Sequence, residues 1–174
     1  MASLGWSAWL ELLGGAFAAG WVDAAMGGGG LIQVPLLFAL IPGAAPAALL
    51  GTNKVASLVG TLGAAWRYAR SHPPAPALIL SVALPAALAA AVAARAVVGL
   101  PAQGLRAALP VLLAVVWLQA ALGSAGLEHR PRQRGRAQGL AAAVGGALVG
   151  AYDGAWGPGA GAFYKAWFTR VLGF

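Results

Sequence analysis

Apolar and polar positions along this chain form long oily runs cut by short clusters of glycine, proline and charge. Residues 73–94 and 107–127 carry no formal charge. At about 1.5 Å rise per residue, each run is long enough to cross roughly 30 Å of hydrocarbon as a helix. Hydropathy read against helix breakers predicts helices near residues 5–24, 31–48, 53–70, 76–96, 104–124 and 138–154, with a seventh beginning near 160. None of these segments has the long polar face that a water-facing helix needs. The segment 31–48 contains Pro35, Pro42 and Pro46, so it either crosses with kinks or dips in and returns. A crossing would set the two halves of the chain in inverted orientations and a dip in parallel ones; the inverted arrangement is expected.

Composition sharpens this picture. The chain of 174 residues is 60% hydrophobic and 9% charged, with a mean hydropathy of +0.79, too little polar surface to cover a water-soluble globule of this size. The expected fold class is an all-α polytopic membrane protein with the lipid bilayer as its surroundings. The net charge of +7 reads as topology rather than nucleic-acid binding. Arg130, Arg132, Arg134 and Arg136 crowd the loop 128–137, and Arg67, Arg70 and His72 form a second basic loop two spans earlier. Both fall on the cytoplasmic side under the positive-inside rule, with Arg95 and Arg106 flanking an outer turn. The first Lys or Arg is Lys54, and Glu11 lies inside the first apolar stretch, which argues against a cleaved signal peptide. There is no cysteine, and His72 and His129 in their basic loops read as solvated rather than as metal ligands. No metal and no cofactor is expected, and no constellation with catalytic spacing points to an enzyme.

The chain also contains an internal echo. A shift of 130 positions sets Gly15, Gly20, Asp23, Gly27, Gly29, Phe38 and Gly43 on Gly145, Gly150, Asp153, Gly157, Gly159, Phe168 and Gly173. The protein has only 4 acidic residues, and Asp23 and Asp153 fall into register. The small residues Ala16, Gly20 and Ala24 match Gly146, Gly150 and Gly154, a four-residue spacing that lets membrane helices approach closely. Each aspartate should then lean toward that packed face. The fold is therefore expected to be a helical bundle of two homologous repeats with broken or re-entrant helices.

The chemistry concentrates where each repeat breaks. An isolated carboxylate in the middle of a bilayer helix costs about 2.5 to 3.5 kcal/mol on insertion scales, so it tends to face protein or water. The runs that follow, Gly27 to Leu31 and Gly157 to Gly161, cannot continue a stable helix. Irregular backbone at membrane depth survives only when buried in protein or lining a polar cavity. Paired broken helices are a common way for secondary transporters to build a substrate site, with helix N-termini offering free amides to an anion. A nucleotide loop fails on spacing, because the third glycine of G-x-G-x-x-G should fall on Ile32 or Ala162. The residues also admit a purely structural reading, with the glycines as tight turns and the aspartates as caps. In L50-G-T-N-K54, Thr52 or Asn53 reads as an N-cap opening the next helix. Lys54 either snorkels to the interface or faces an anion together with the Asn53 amide. Gln33 is a weaker candidate.

The motifs D23-A-A-M-G-G-G-G-L-I-Q-V-P35, A48-L-L-G-T-N-K54, R67-Y-A-R70 and Y152-D-G-A-W-G-P-G-A-G161 together resemble the sulfite exporter TauE/SafE family of bacterial membrane transporters. The resemblance implies a multi-pass inner-membrane protein of two homologous halves that moves small, often sulfur-containing anions such as sulfite or sulfonates. By position, the first family motif falls on Asp23, Gly27, Gly28, Gly29, Gly30, Pro35, Gly51, Thr52, Asn53 and Lys54. The second falls on Asp153, Gly157, Pro158, Gly159 and Gly161. The expected organisation is a first transmembrane repeat over 1–127, a basic cytoplasmic loop over 128–137, and the start of a second repeat over 138–174. Partners of Gly51 to Lys54 would fall past Phe174, so the second repeat reads as incomplete, with a homo-oligomer or a partner chain as ways of completing it. The expected function is secondary transport, in the export direction, of a small anionic substrate held by Gly27, Gly28, Gly29, Gly30, Thr52, Asn53, Lys54, Gly157, Gly159 and Gly161. Asp23 and Asp153 are expected as proton-coupling groups, because a carboxyl in dry surroundings can take up and release a proton each cycle. The rival readings are a membrane scaffold or partner subunit, and a cation transporter with Asp23 and Asp153 as ligands.

Overall fold

The computed structural model describes residues 5–26, 28–71, 75–121 and 135–173. Gly27, His72 and the basic-loop residues Glu128, His129, Arg130, Arg132 and Arg134 lie outside the described residues. All regular structure among the described residues is helical: α1 (Trp6–Met26), α2 (Gly30–Leu40), α3 (Pro46–Ser71), α4 (Pro76–Val98), α5 (Ala102–Ala121), α6 (Arg136–Ala155) and α7 (Ala160–Trp167), the last running into a π-helical turn at Phe168–Leu172. Two helices, Pro76–Val98 and Ala102–Gln119, are long and apolar enough to cross a membrane on their own composition. Their outward faces match that role. Ile79, Leu80, Leu84, Leu88 and Val92 on α4, and Leu10, Leu13, Phe17 and Trp21 on α1, are exposed, a liability in water and an ordinary surface against acyl chains.

Two helix boundaries depart from the sequence expectation. The helix expected to open at Thr52 or Asn53 opens at Pro46, where proline is pre-shaped for the first helical position and has no amide to leave unpaired. Thr52 is therefore inside the helix, and its hydroxyl donates to the Ala48 carbonyl at 2.9 Å instead of capping anything. The segment 31–48 is not one helix either. α2 has 11 residues, about 16 Å of rise against roughly 30 Å of hydrocarbon, so it does not make a crossing.

α2 folds back along α1: Leu36 lies against Gly15, and Gly29 lies against Ala19 and Asp23. α3 then returns along α2, with Asn53 beside Gly30 and Leu50 in one core cluster with Val34. Helix direction thus reverses at each step even though α2 is short, and the expectation that a dip gives parallel halves does not hold. α5 starts level with the α2–α3 turn, where Arg106 meets the Pro42 and Ala44 carbonyls, and reaches Gly159 at Val116. α5 therefore runs with α3, and α1 and α6 run in opposite senses.

α4 and α6 make the tightest pairing. Gly146, Gly150 and Gly154 rest on the backbones of Val82, Ala86 and Ala90, so the register advances the same way on both and the helices are parallel. A methyl on Gly146 or Gly150 would stand 2.5 Å from the Val82 or Ala86 carbonyl oxygen. The corresponding stripe on α1 behaves differently: Ala16, Gly20 and Ala24 are exposed, and nothing lies within 4 Å of where a Gly20 side chain would start. α1 packs instead through buried Ala19.

Candidate functional site

Each break places a carboxylate in the last turn of a helix, the negative end of its dipole, so each needs a positive neighbour. Asp23 obtains it from the start of α2. The Gly29 amide donates to Asp23 Oδ1 at 2.9 Å, and Gly29 lies so close to α1 that a methyl there would stand 2.7 Å from Asp23 Cβ. Glycine is needed for that approach.

The second break is built from other parts. Gly157 (φ 90°) and Gly159 (φ 75°) adopt left-handed backbone, which a side chain would strain. The Tyr152 hydroxyl donates to the Pro158 carbonyl at 2.7 Å, and its ring meets Phe163 edge-on, centroids 4.9 Å apart. Asp153 is paired across the molecule: Lys54 Nζ lies 3.3 Å from Asp153 Oδ1 and also donates to the Asp153 carbonyl oxygen.

The two breaks meet at α3. A methyl on Gly30 would stand 3.1 Å from Pro158 Cα and 3.3 Å from Asn53 Nδ2. Asn53 is 3% exposed, and its Oδ1 has no hydrogen-bond partner among the described residues. An unsatisfied buried polar atom costs about 1–3 kcal/mol, so it marks a place where a partner is expected. A half-turn of the carboxamide exchanges its oxygen for its NH2, so Asn53 can present donors as well as an acceptor. Beside this junction, Val34, Leu50, Val97, Leu105 and Leu109 form a buried cluster against which Ala155 and Trp156 pack, fixing both breaks to the same core. Lys54 and Asp153 remain partly open, with side chains 32% and 44% exposed.

Of the residues expected at the site, the structure brings together Gly29, Gly30, Asn53, Lys54, Asp153 and Gly157. Gly28 is buried at the first break and Gly159 at the second, the latter against Val116. Thr52 is exposed and turned to its own helix, and Gly161 is exposed on α7. Asp23 sits at its own break rather than on Lys54.

Three contributors escaped the sequence reading. Tyr152 is inconspicuous in sequence beside Asp153, since a tyrosine in an apolar helix is ordinary and an acid is not. Gln119, a lone amide in an apolar run, donates to the Ala162 carbonyl at 3.2 Å and keeps Oε1 unpartnered among the described residues; a polar side chain at membrane depth was a usable signal. Arg106 read only as a flank of an outer turn, yet it bonds the Pro42 and Ala44 carbonyls at 2.6 and 3.0 Å and stacks over Phe38 at 5.3 Å. An open hollow of about 300 Å³ lined by Leu78, Ile79, Val82, Ala83 and Phe168 has no polar side chain and so nothing with which to recognise an ion.

Comparison with known proteins agrees with the motifs. The family model described as Sulfite exporter TauE/SafE matches residues 12–174. A relative from Sinorhizobium sp., named Probable membrane transporter protein ORF9, is 34% identical over 159 residues, 91% of this chain and 60% of the relative. A Haemophilus influenzae protein named Probable membrane transporter protein is 45% identical over 56 residues, 32% of this chain and 21% of its own length. No solved structure matches. The chain thus spans 60% of the length of the Sinorhizobium relative.

Proposed function

Because the chain belongs to the sulfite exporter TauE/SafE family, we propose that the protein is a multi-pass inner-membrane secondary transporter that exports small anions such as sulfite, sulfonates or other organosulfur oxyanions, and not an enzyme. One observation carries the substrate charge: the two helix breaks converge on α3 at Asn53, a buried carboxamide with an unpartnered atom, and at the following residue, Lys54, whose ammonium bridges to Asp153. An oxyanion in that junction would take its hydrogen bonds from Asn53, Lys54 and the amides of Gly28 and Gly30, the Gly29 amide being held by Asp23, with Gly157 and Gly159 shaping the opposite wall. Transport follows if one hairpin rocks against the other around this junction, alternately opening it to each side.

The hairpins α1–α2 and α6–α7 support a two-repeat organisation. In both, a broken helix folds back, and equivalent glycines, Gly15 and Gly145, receive a side chain of the returning helix, Leu36 and Trp167. In this reading residues 1–127 form a first repeat, 128–137 a basic cytoplasmic loop, and 138–174 the beginning of an inverted second repeat.

Sulfite flux in proteoliposomes tests the proposal. Asn53→Ala is expected to reduce flux at least roughly ten-fold, the loss of one to two charge-assisted contacts. Sulfite and sulfonate flux unchanged by Asn53→Ala would refute it, and metal-dependent flux lost in Asp23→Asn would replace it with cation transport.

A further inference from the structure

Asp23 and Asp153 hold equivalent places before their breaks, yet they are bonded differently. In the first hairpin the carboxylate itself braces the break through the Gly29 amide. In the second, the Tyr152 hydroxyl supplies the brace on Pro158, where the first hairpin has Val22 at the equivalent position and no hydroxyl to offer. Asp153 is thereby released to reach Lys54 on α3.

We infer that Asp153 is a built-in competitor for the transported anion: its carboxylate occupies the Lys54 ammonium and must be displaced for an oxyanion to bind there, whereas Asp23 only holds its break. The inference rests on the anion reading above. The Lys54–Asp153 contact of 3.3 Å is longer than the roughly 2.7–2.9 Å of a tight charge-assisted bond, and neither side chain is sealed from its surroundings. Lys54 also donates to the Asp153 main-chain carbonyl, so exchange of the carboxylate for another anion leaves the ammonium anchored at the break. Gly157 keeps that ammonium uncovered, since a side chain there would start 3.1 Å from Nζ. An incoming oxyanion has an advantage over Asp153: it is not tethered to α6, so it can bring an acceptor atom closer to Lys54 than the 3.3 Å of the ion pair. Asp153 therefore sets a threshold of selectivity, rejecting anions that bind lysine no better than a carboxylate does.

The test is equilibrium binding of sulfite to the purified full chain in nanodiscs, comparing wild type, Asp153→Asn, Asp153→Ser and Lys54→Gln, each checked for monodispersity. Removing the competitor should tighten sulfite binding roughly five- to ten-fold in Asp153→Asn and Asp153→Ser, the scale of a partly screened ion pair. Lys54→Gln should weaken it by a similar factor. If sulfite binds no tighter to either folded Asp153 variant while Lys54→Gln still loses it, the competitor role is overturned and the anion site stands. If Lys54→Gln binds sulfite as well as wild type does, or no variant binds it, the anion reading of this junction falls and the inference with it.

Discussion

Asp23 and Gly51 show how differently two residues of one motif can matter. Asp23 accepts the Gly29 amide in a partly buried place, so Asp23→Ala leaves that donor without a partner and should lower stability by about 1–2 kcal/mol. Asp23→Asn keeps an acceptor oxygen and should recover most of the loss, an ordering that thermal melts in detergent would check; equal melting of Asp23→Ala and wild type would contradict the brace. Gly51 lies in the interior of α3 with nothing within 4 Å of a would-be side chain. Gly51→Ala should therefore stabilise the protein by about 0.5–1 kcal/mol through helix propensity, read as a higher melting temperature. A sequence treats both as motif positions; only contacts separate the brace from the bystander.

Among the helices, the deciding contrast is between two stripes of small residues that look alike in sequence. Gly150 presses on the Ala86 backbone, while Gly20, its counterpart under the 130-residue shift, meets open space. Gly150→Leu cannot be relieved by a side-chain rotation, because the obstacle is main chain. It should cost about 1–3 kcal/mol or more and part α4 from α6, whereas Gly20→Leu should be tolerated. Yield and melting temperature of the two variants compare them directly, and equal tolerance would mean that α4 and α6 are not in backbone contact at Gly150. The helical segments themselves were legible from hydropathy because long apolar runs leave few alternatives. Their starts were not: the pull of Thr52 and Asn53 as caps hid Pro46, and three prolines across 31–48 could mean a kinked crossing or a short returning helix until packing against α1 decided it.

For the molecule as a whole, the exposed apolar faces require lipid. Trp117 on α5 is 67% exposed, while Trp167 is turned inward, its ring on Gly145 and its Nε1 donating to the Ala141 carbonyl at 3.0 Å. In single-tryptophan variants reconstituted with acyl-brominated lipid, Trp117 emission should be strongly quenched and Trp167 emission little affected. The opposite result would place α5 inside the assembly. Between α3 and the second hairpin, the Lys54–Asp153 pair joins residues far apart in sequence, and Arg106 fastens α5 to the α2–α3 turn, so the second break and that turn are held by contacts that span the chain.

The order of residues alone determined that this is a helical membrane protein and that its helices break beside Asp23 and Asp153, because burial cost and backbone breakers act locally and leave their mark in composition and spacing. Only the folded arrangement decided which aspartate meets Lys54, which glycine stripe is used, that α2 turns back, that Tyr152 braces the second break and that Arg106 fastens the α2–α3 turn. Those outcomes depend on distances between segments remote in sequence, which no local pattern encodes.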